Sequence, residues 1–162
     1  MNALTTTTDR DPLVTAHGAS AVYDLTAIKE AGGEETPRFE AKITKNGLAI
    51  ATVSNDGNGG CNRYYFDDRA EEAPFEAWIA ANHPAKFEAS DAWVYRCLDF
   101  HAAVKQVTRA AKKKTLFRLA TDEAGAYRTI GVLGAQGVEW VRRKYPGASV
   151  FDPASKQWFV VR

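Results

Sequence analysis

Long apolar runs are missing from this sequence. No stretch approaches the roughly 18 consecutive apolar residues of a membrane-spanning helix, so no membrane partner is expected. Cysteine is scarce: Cys61 and Cys97 are the only two, too few for the framework of bridges that staples small secreted domains. A single disulfide between them stays open on spacing, with buried or free thiols the favoured state. Neither a Cys-x-x-Cys nor a paired-histidine spacing occurs, which removes the common zinc signatures. Gly-Lys-Ser and Gly-Lys-Thr are also absent, and with them the phosphate-binding loop. The first ten residues, Met1 to Arg10, lack the basic-then-apolar pattern of a secretory leader. Together these absences point to a reducing cytoplasm, to no cofactor and to no enzyme motif.

What is present is charge sorted along the chain. Residues 1–100 hold 16 acids and 9 bases, whereas residues 101–162 hold 4 acids and 12 bases, so the net formal charge of +1 hides −7 followed by +8. A segregated basic surface attracts polyanions, and an acidic one meets basic partners. The length of 162 residues matches one domain of about 100–200 residues. Residues 1–12 are threonine-rich and lack the apolar contacts that would offset the entropy of ordering them. They read as a flexible arm, followed by a single domain over 13–162.

Turn residues and apolar periodicity divide that domain. Residues 20–31 suit a short strand or helix, ended by Gly32-Gly33. Phe39 to Ile43 alternates apolar and polar, Asn46-Gly47 supplies a type I′ turn, and Leu48 to Val53 returns, which predicts a β-hairpin. Pro74 suits the first turn of a helix reaching about Asn82, with Phe75, Trp78 and Ile79 on one face. Ser90 is the expected N-cap of the longest helix, about Asp91 to Lys113. Trp93, Cys97, Phe100, Val104, Val107 and Ala111 form its apolar stripe. Residues 115–119 and 126–130 read as a second hairpin, 136–145 as a helix, and 149–151 with 157–161 as a third hairpin. The expected fold class is therefore α+β, with antiparallel hairpins packed against about three helices, one of them long and amphipathic.

Lys105, Arg109, Lys112, Lys113, Lys114 and Arg118 place six bases within fourteen residues with no acid among them. At 100° per residue the first four fall in about one quadrant, largely opposite the apolar stripe, so they are expected to face water together. Such a stripe, beside an exposed Arg118, can follow a phosphate backbone. The structural explanation is that bases near a helix carboxyl end favour its dipole; the same explanation covers Arg142-Arg143-Lys144.

The loop from Asn55 to Arg63 is the second candidate. Its glycines and asparagines can adopt positive φ, so its amides are able to form an anion-binding nest, although a structural turn is the simpler role. If it binds, Asn58, Gly59 and Gly60 bring backbone close to a ligand, while Asn62 and Arg63 supply side chains. Cys97 and His101, spaced i, i+4 with Cys61 and His83 as completions, are the weakly supported metal set. Acids from Asp67 to Glu76 sit at the amino end of a predicted helix, where negative charge is favourable, and otherwise offer a patch for a basic partner.

The segments Phe39–Tyr64, with Ser54 to Tyr64 at its heart, and Lys112–Leu119 resemble a pattern in small uncharacterised proteins of phages and bacterial mobile elements. That resemblance implies an accessory protein acting in the host cytoplasm, such as one that blocks a defence complex of the CRISPR-effector kind. It carries no catalytic residue to transfer. The expected function is thus non-enzymatic: occupation of a macromolecular surface, foremost that of a nucleic-acid-processing protein complex. The alternative is a non-specific nucleic-acid binder using residues 105–114, and the third reading is a small hydrolase or metal-dependent enzyme.

Overall fold

A computed structural model describes residues 22–123 and 125–162; the expected arm over 1–12 lies outside them. The fold class is α+β, with two antiparallel four-stranded sheets and three helices among the described residues. The chain divides into two compact units that meet in sequence between Asp99 and Phe100.

In the first unit, strands β1 (Tyr23–Ala31), β2 (Arg38–Lys45), β3 (Leu48–Asn55) and β4 (Arg63–Phe66) form a sheet in sequence order. The period of two along each strand sends Phe39, Ala41 and Ile43 of β2 and Ala51 and Val53 of β3 to the buried face. Leu25, Ile43 and Ala51 lie side by side across three strands. Asn46 at φ 51° and Gly47 at φ 82° make the expected hairpin turn, since both central residues of a type I′ turn need positive φ.

Helix α1 (Glu72–Asn82) lays Phe75 and Ile79 on this sheet. The first half of helix α2 (Ala89–Ala111) adds Trp93, Val94, Cys97 and Leu98. Phe75 is the hub, edge-on to Tyr23 at 5.3 Å and to Trp93 at 5.5 Å. Each such aromatic pair contributes about 0.5–1.5 kcal/mol beyond the burial of its area.

Two expectations about α2 need correction. The helix starts at Ala89, so Ser90 lies inside its first turn and does not cap it. The amide of Ala92 already donates to the Glu88 carbonyl at 2.9 Å, and the freed Ser90 hydroxyl donates instead to the Glu76 carboxylate. At its other end α2 stops at Ala111. The amides of Lys113 and Lys114 both donate to the Ala110 carbonyl, at 3.0 and 3.2 Å, which closes the last turn and turns residues 112–114 out of the helix.

The second unit follows as β5 (Thr115–Arg118), β6 (Arg128–Ile130), α3 (Gly134–Lys144), β7 (Ser149–Asp152) and β8 (Gln157–Val160), with strand order β6-β5-β7-β8. Neighbouring residues of β5 point to opposite faces. Leu116 packs with Val107 and Ala111 of α2 and with Phe151, whereas Phe117 packs with Val141 of α3 and with Ala148, Val150 and Val161. The sheet is therefore covered by the end of α2 on one face and by α3 on the other. Gly137 lets α3 approach closely, because a Cβ there would collide with the Thr115 side chain and the Val132 carbonyl. No helix among the described residues is long and apolar enough to cross a membrane.

Candidate functional site

The basic cluster is built where α2 ends. Val107 and Ala111 are drawn into the core of the second unit, which turns Lys105 and Arg109 to solvent on the other side of the helix. Lys112, Lys113 and Lys114, also exposed, project from the closing turn. They surround the helix terminus rather than continuing the quadrant that an uninterrupted helix would give. Among the described residues none of these five bases forms an ion pair.

Among the described residues of the same unit, Asp122, Glu139 and Asp152 are committed elsewhere. Asp122 accepts from the Arg128 guanidinium at 2.7 Å and from the Leu119 amide at 2.8 Å. The arginine first and the amide second hold its carboxyl below the usual carboxylate range. Glu139 lies 2.8 Å from Arg142 and 4.0 Å from Arg143. Asp152 is lowered by the Ser155 hydroxyl and the Ala154 amide, both of which donate to it. Among the described residues, Asp122, Glu139 and Asp152 therefore leave the positive field around the end of α2 uncancelled.

Arg118 differs from expectation. It is half-buried, with its guanidinium 4.5 Å from the centre of the Trp158 ring. The cause is register: β5 pairs with β7 at Arg118 and Ser149, and Trp158 of β8 pairs with Phe151, so all four stand on the α2 face of the sheet. Tyr127 is likewise half-buried against this cluster.

The glycine-rich loop is organised inwards. Asn55 is buried, and its Oδ1 accepts from the Thr36 hydroxyl and the Gly57 amide, both at 2.8 Å. Its Nδ2 donates to the Gly60 carbonyl and to Asn62 Oδ1. The Gly59 amide donates to the Thr36 hydroxyl, and the Gly57 carbonyl accepts from the amides of Glu34 and Glu35. Four amides of the loop, those of Gly57, Asn58, Gly59 and Asn62, are therefore spent on protein acceptors. Asn62 is buried, and Arg63 reaches back 2.7 Å to Asp56. Asn58 and Gly60 remain exposed.

Beside the loop lies a cluster absent from the sequence-based expectations. The Asp91 carboxylate, buried in the first turn of α2, accepts from the Tyr64 hydroxyl at 2.7 Å and from the Asn62 amide at 2.9 Å. The Cys61 thiol donates to Glu88 at 2.9 Å, and one ligand atom from each of Cys61, Glu88 and Asp91 fits within 4.8 Å. The Glu88 hydrogen bond and charge push the Cys61 thiol up, and the charge of Asp91 adds to them. A thiol so placed is a poor nucleophile at neutral pH, because the thiolate is the reactive form.

The disfavoured set of Cys61, His83, Cys97 and His101 does not gather into a ligand group among the described residues. Cys97 sits in the first core, where burial pushes its thiol up, and no disulfide joins it to Cys61. Glu88 and Asp91 match no motif, because their partners lie 27 or 29 residues away in the chain. The only local signal is their own i, i+3 spacing. No family model, curated protein or solved structure matches the chain.

Proposed function

We propose that the protein is a binding protein that attaches to nucleic acid, or to a complex carrying it, through the basic end of α2. The observation that supports this reading is the group Lys105, Arg109, Lys112, Lys113 and Lys114: five exposed bases without an ion pair among the described residues. Keeping like charges together costs repulsion that a scattered arrangement avoids, and a polyanion relieves it by releasing its own condensed counterions. The test is a pull-down from cell lysate, with and without nuclease, comparing the wild type with a variant carrying glutamine at Lys105, Arg109, Lys112 and Lys113. Nucleic acid recovered by the wild type, and lost with nuclease or with the four substitutions, is the expected result. Equal recovery by the variant overturns the proposal.

A second reading rests on the exposed acids of the other unit. Asp67, Asp68, Glu72 and Glu76 all reach solvent, while Lys45 neutralises only Glu71 in that stretch, at 2.6 Å. An acidic face of this kind suits a protein that occupies the basic channel of a nucleic-acid-processing complex, as an inhibitor of a host defence system would. One discrete protein partner surviving nuclease treatment, and lost when these four acids are neutralised, selects this reading over the first.

A further inference from the structure

Resting on the attachment proposed above, the chemistry around the end of α2 narrows the ligand, and we infer that it is the phosphate backbone of duplex nucleic acid, read by charge without contact to bases. Three observations carry this. Four of the five bases that lack an ion pair among the described residues are lysines. Ammonium groups are point charges that do not impose the bidentate geometry by which an arginine fork selects guanine.

The second observation concerns aromatic rings. Single strands are held by bases stacking on open ring faces, at about 1–3 kcal/mol per base, and the rings near this cluster are occupied. Trp158 carries the Arg118 guanidinium on one face and stands edge-on to Phe151 at 5.4 Å. Tyr127 is packed into the same apolar cluster. On the far face of the sheet, Trp140 carries Lys144 at 4.9 Å and Tyr145 stacks on Phe117 at 5.2 Å. The large apolar side chains exposed in this unit, among the described residues, are Val132 and Leu133, and neither can stack on a base.

Third, the cluster surrounds the carboxyl end of a helix and a three-residue turn, with Lys113 and Lys114 bonded back to Ala110. A blunt end of this kind touches the backbone and does not lie along the major groove as a recognition helix does. A surface that reads charge alone favours the ligand of higher linear charge density. Duplex nucleic acid presents one phosphate per about 1.7 Å of axis, so it is preferred to a single strand.

Fluorescence anisotropy of the full chain tests this, with two labelled duplexes of unrelated sequence, about 20 base pairs each, a single strand of equal length, and heparin fragments of matched charge as competitor. Five phosphate contacts correspond to a log–log salt slope of about −4.5, or about a 500-fold loss of duplex affinity between 50 and 200 mM salt. The two duplexes are expected to agree within about two-fold, with the single strand weaker at each salt concentration. The variant with four glutamines should flatten the slope to about −1, with an unchanged thermal melt showing that it is folded. Tenfold discrimination between the duplexes, tighter binding of the single strand, or heparin competing as well as duplex would each overturn the inference while leaving attachment to polyanions standing. Absence of binding to every probe at 50 mM salt overturns both.

Discussion

The side-chain amide of Asn55 donates to Asn62 Oδ1 at 3.1 Å, a buried bridge between the end of β3 and the start of β4. The same Asn55 holds Thr36 and Gly57 through its oxygen. One side chain thereby orders a loop rich in glycine, whose backbone would otherwise lose most by being fixed.

Replacing Asn55 with alanine removes these bonds and strands buried partners. The expected loss is about 2–3 kcal/mol, because an unsatisfied buried polar group costs about 1–3 kcal/mol. Urea denaturation should show a lower midpoint with an unchanged slope. A midpoint equal to that of the wild type would mean that the loop is ordered by something other than this bridge.

Glycines in the loop should differ in tolerance. Gly57 and Gly60 both have positive φ, +84° and +86°, but a Cβ on Gly57 would meet Gly33 Cα at 2.8 Å and Arg38 Cβ at 2.9 Å, while nothing lies within 4 Å of one on Gly60. Gly60→Ala should cost about 1 kcal/mol, the ordinary penalty of the left-handed region. Gly57→Ala should cost at least about twice that, since backbone must also shift. Equal losses in paired denaturation curves would refute the contact argument.

Thiol chemistry checks the cluster at the start of α2. Because the Glu88 hydrogen bond and charge raise the Cys61 thiol, Glu88→Gln should lower it towards its ordinary value and leave more thiolate at pH 8. Modification by a disulfide reagent should then be several-fold faster than in the wild type. Cys97, buried in the first core, should react only on unfolding. A Cys61 rate insensitive to Glu88→Gln would remove the proposed electrostatic control.

Alkaline pH tests the Tyr64–Asp91 contact. Burial first, and the hydrogen bond to Asp91 second, raise the Tyr64 phenol above its ordinary value near 10. The unfolded chain therefore releases this proton before the folded one does. The associated stability is intact below about pH 10 and is lost as pH rises from there towards the folded value. Tyr64→Phe has no proton to release at that position, so its denaturation midpoint should fall less steeply above pH 10. Parallel curves for the two proteins would show that the phenol is not the titrating group.

Much of the local structure was legible before the fold was known. Asn46-Gly47 demanded a hairpin because few other pairs accept positive φ twice in succession. The stripe from Trp93 to Ala111 identified the long helix, and its exposed bases followed from the same periodicity. The helix ends were less legible: Ser90 is a good cap by type, but the helix begins one residue before it, and its hydroxyl donates to Glu76, fourteen residues away. The division at Asp99 and Phe100 left no linker composition to read, because it falls within a continuous helix.

By itself the sequence determined the alternation of strands, the turn at Asn46-Gly47, the amphipathic helix and the reversal of charge near residue 100, since each depends on neighbours a few positions apart. Tertiary structure alone decided that Arg118 lies on Trp158, that Asn62 faces inwards, and that Cys61, Glu88 and Asp91 converge. Those outcomes depend on strand register and on which helix face meets which sheet. They are settled by the packing of residues far apart in the chain, where no local spacing records the result.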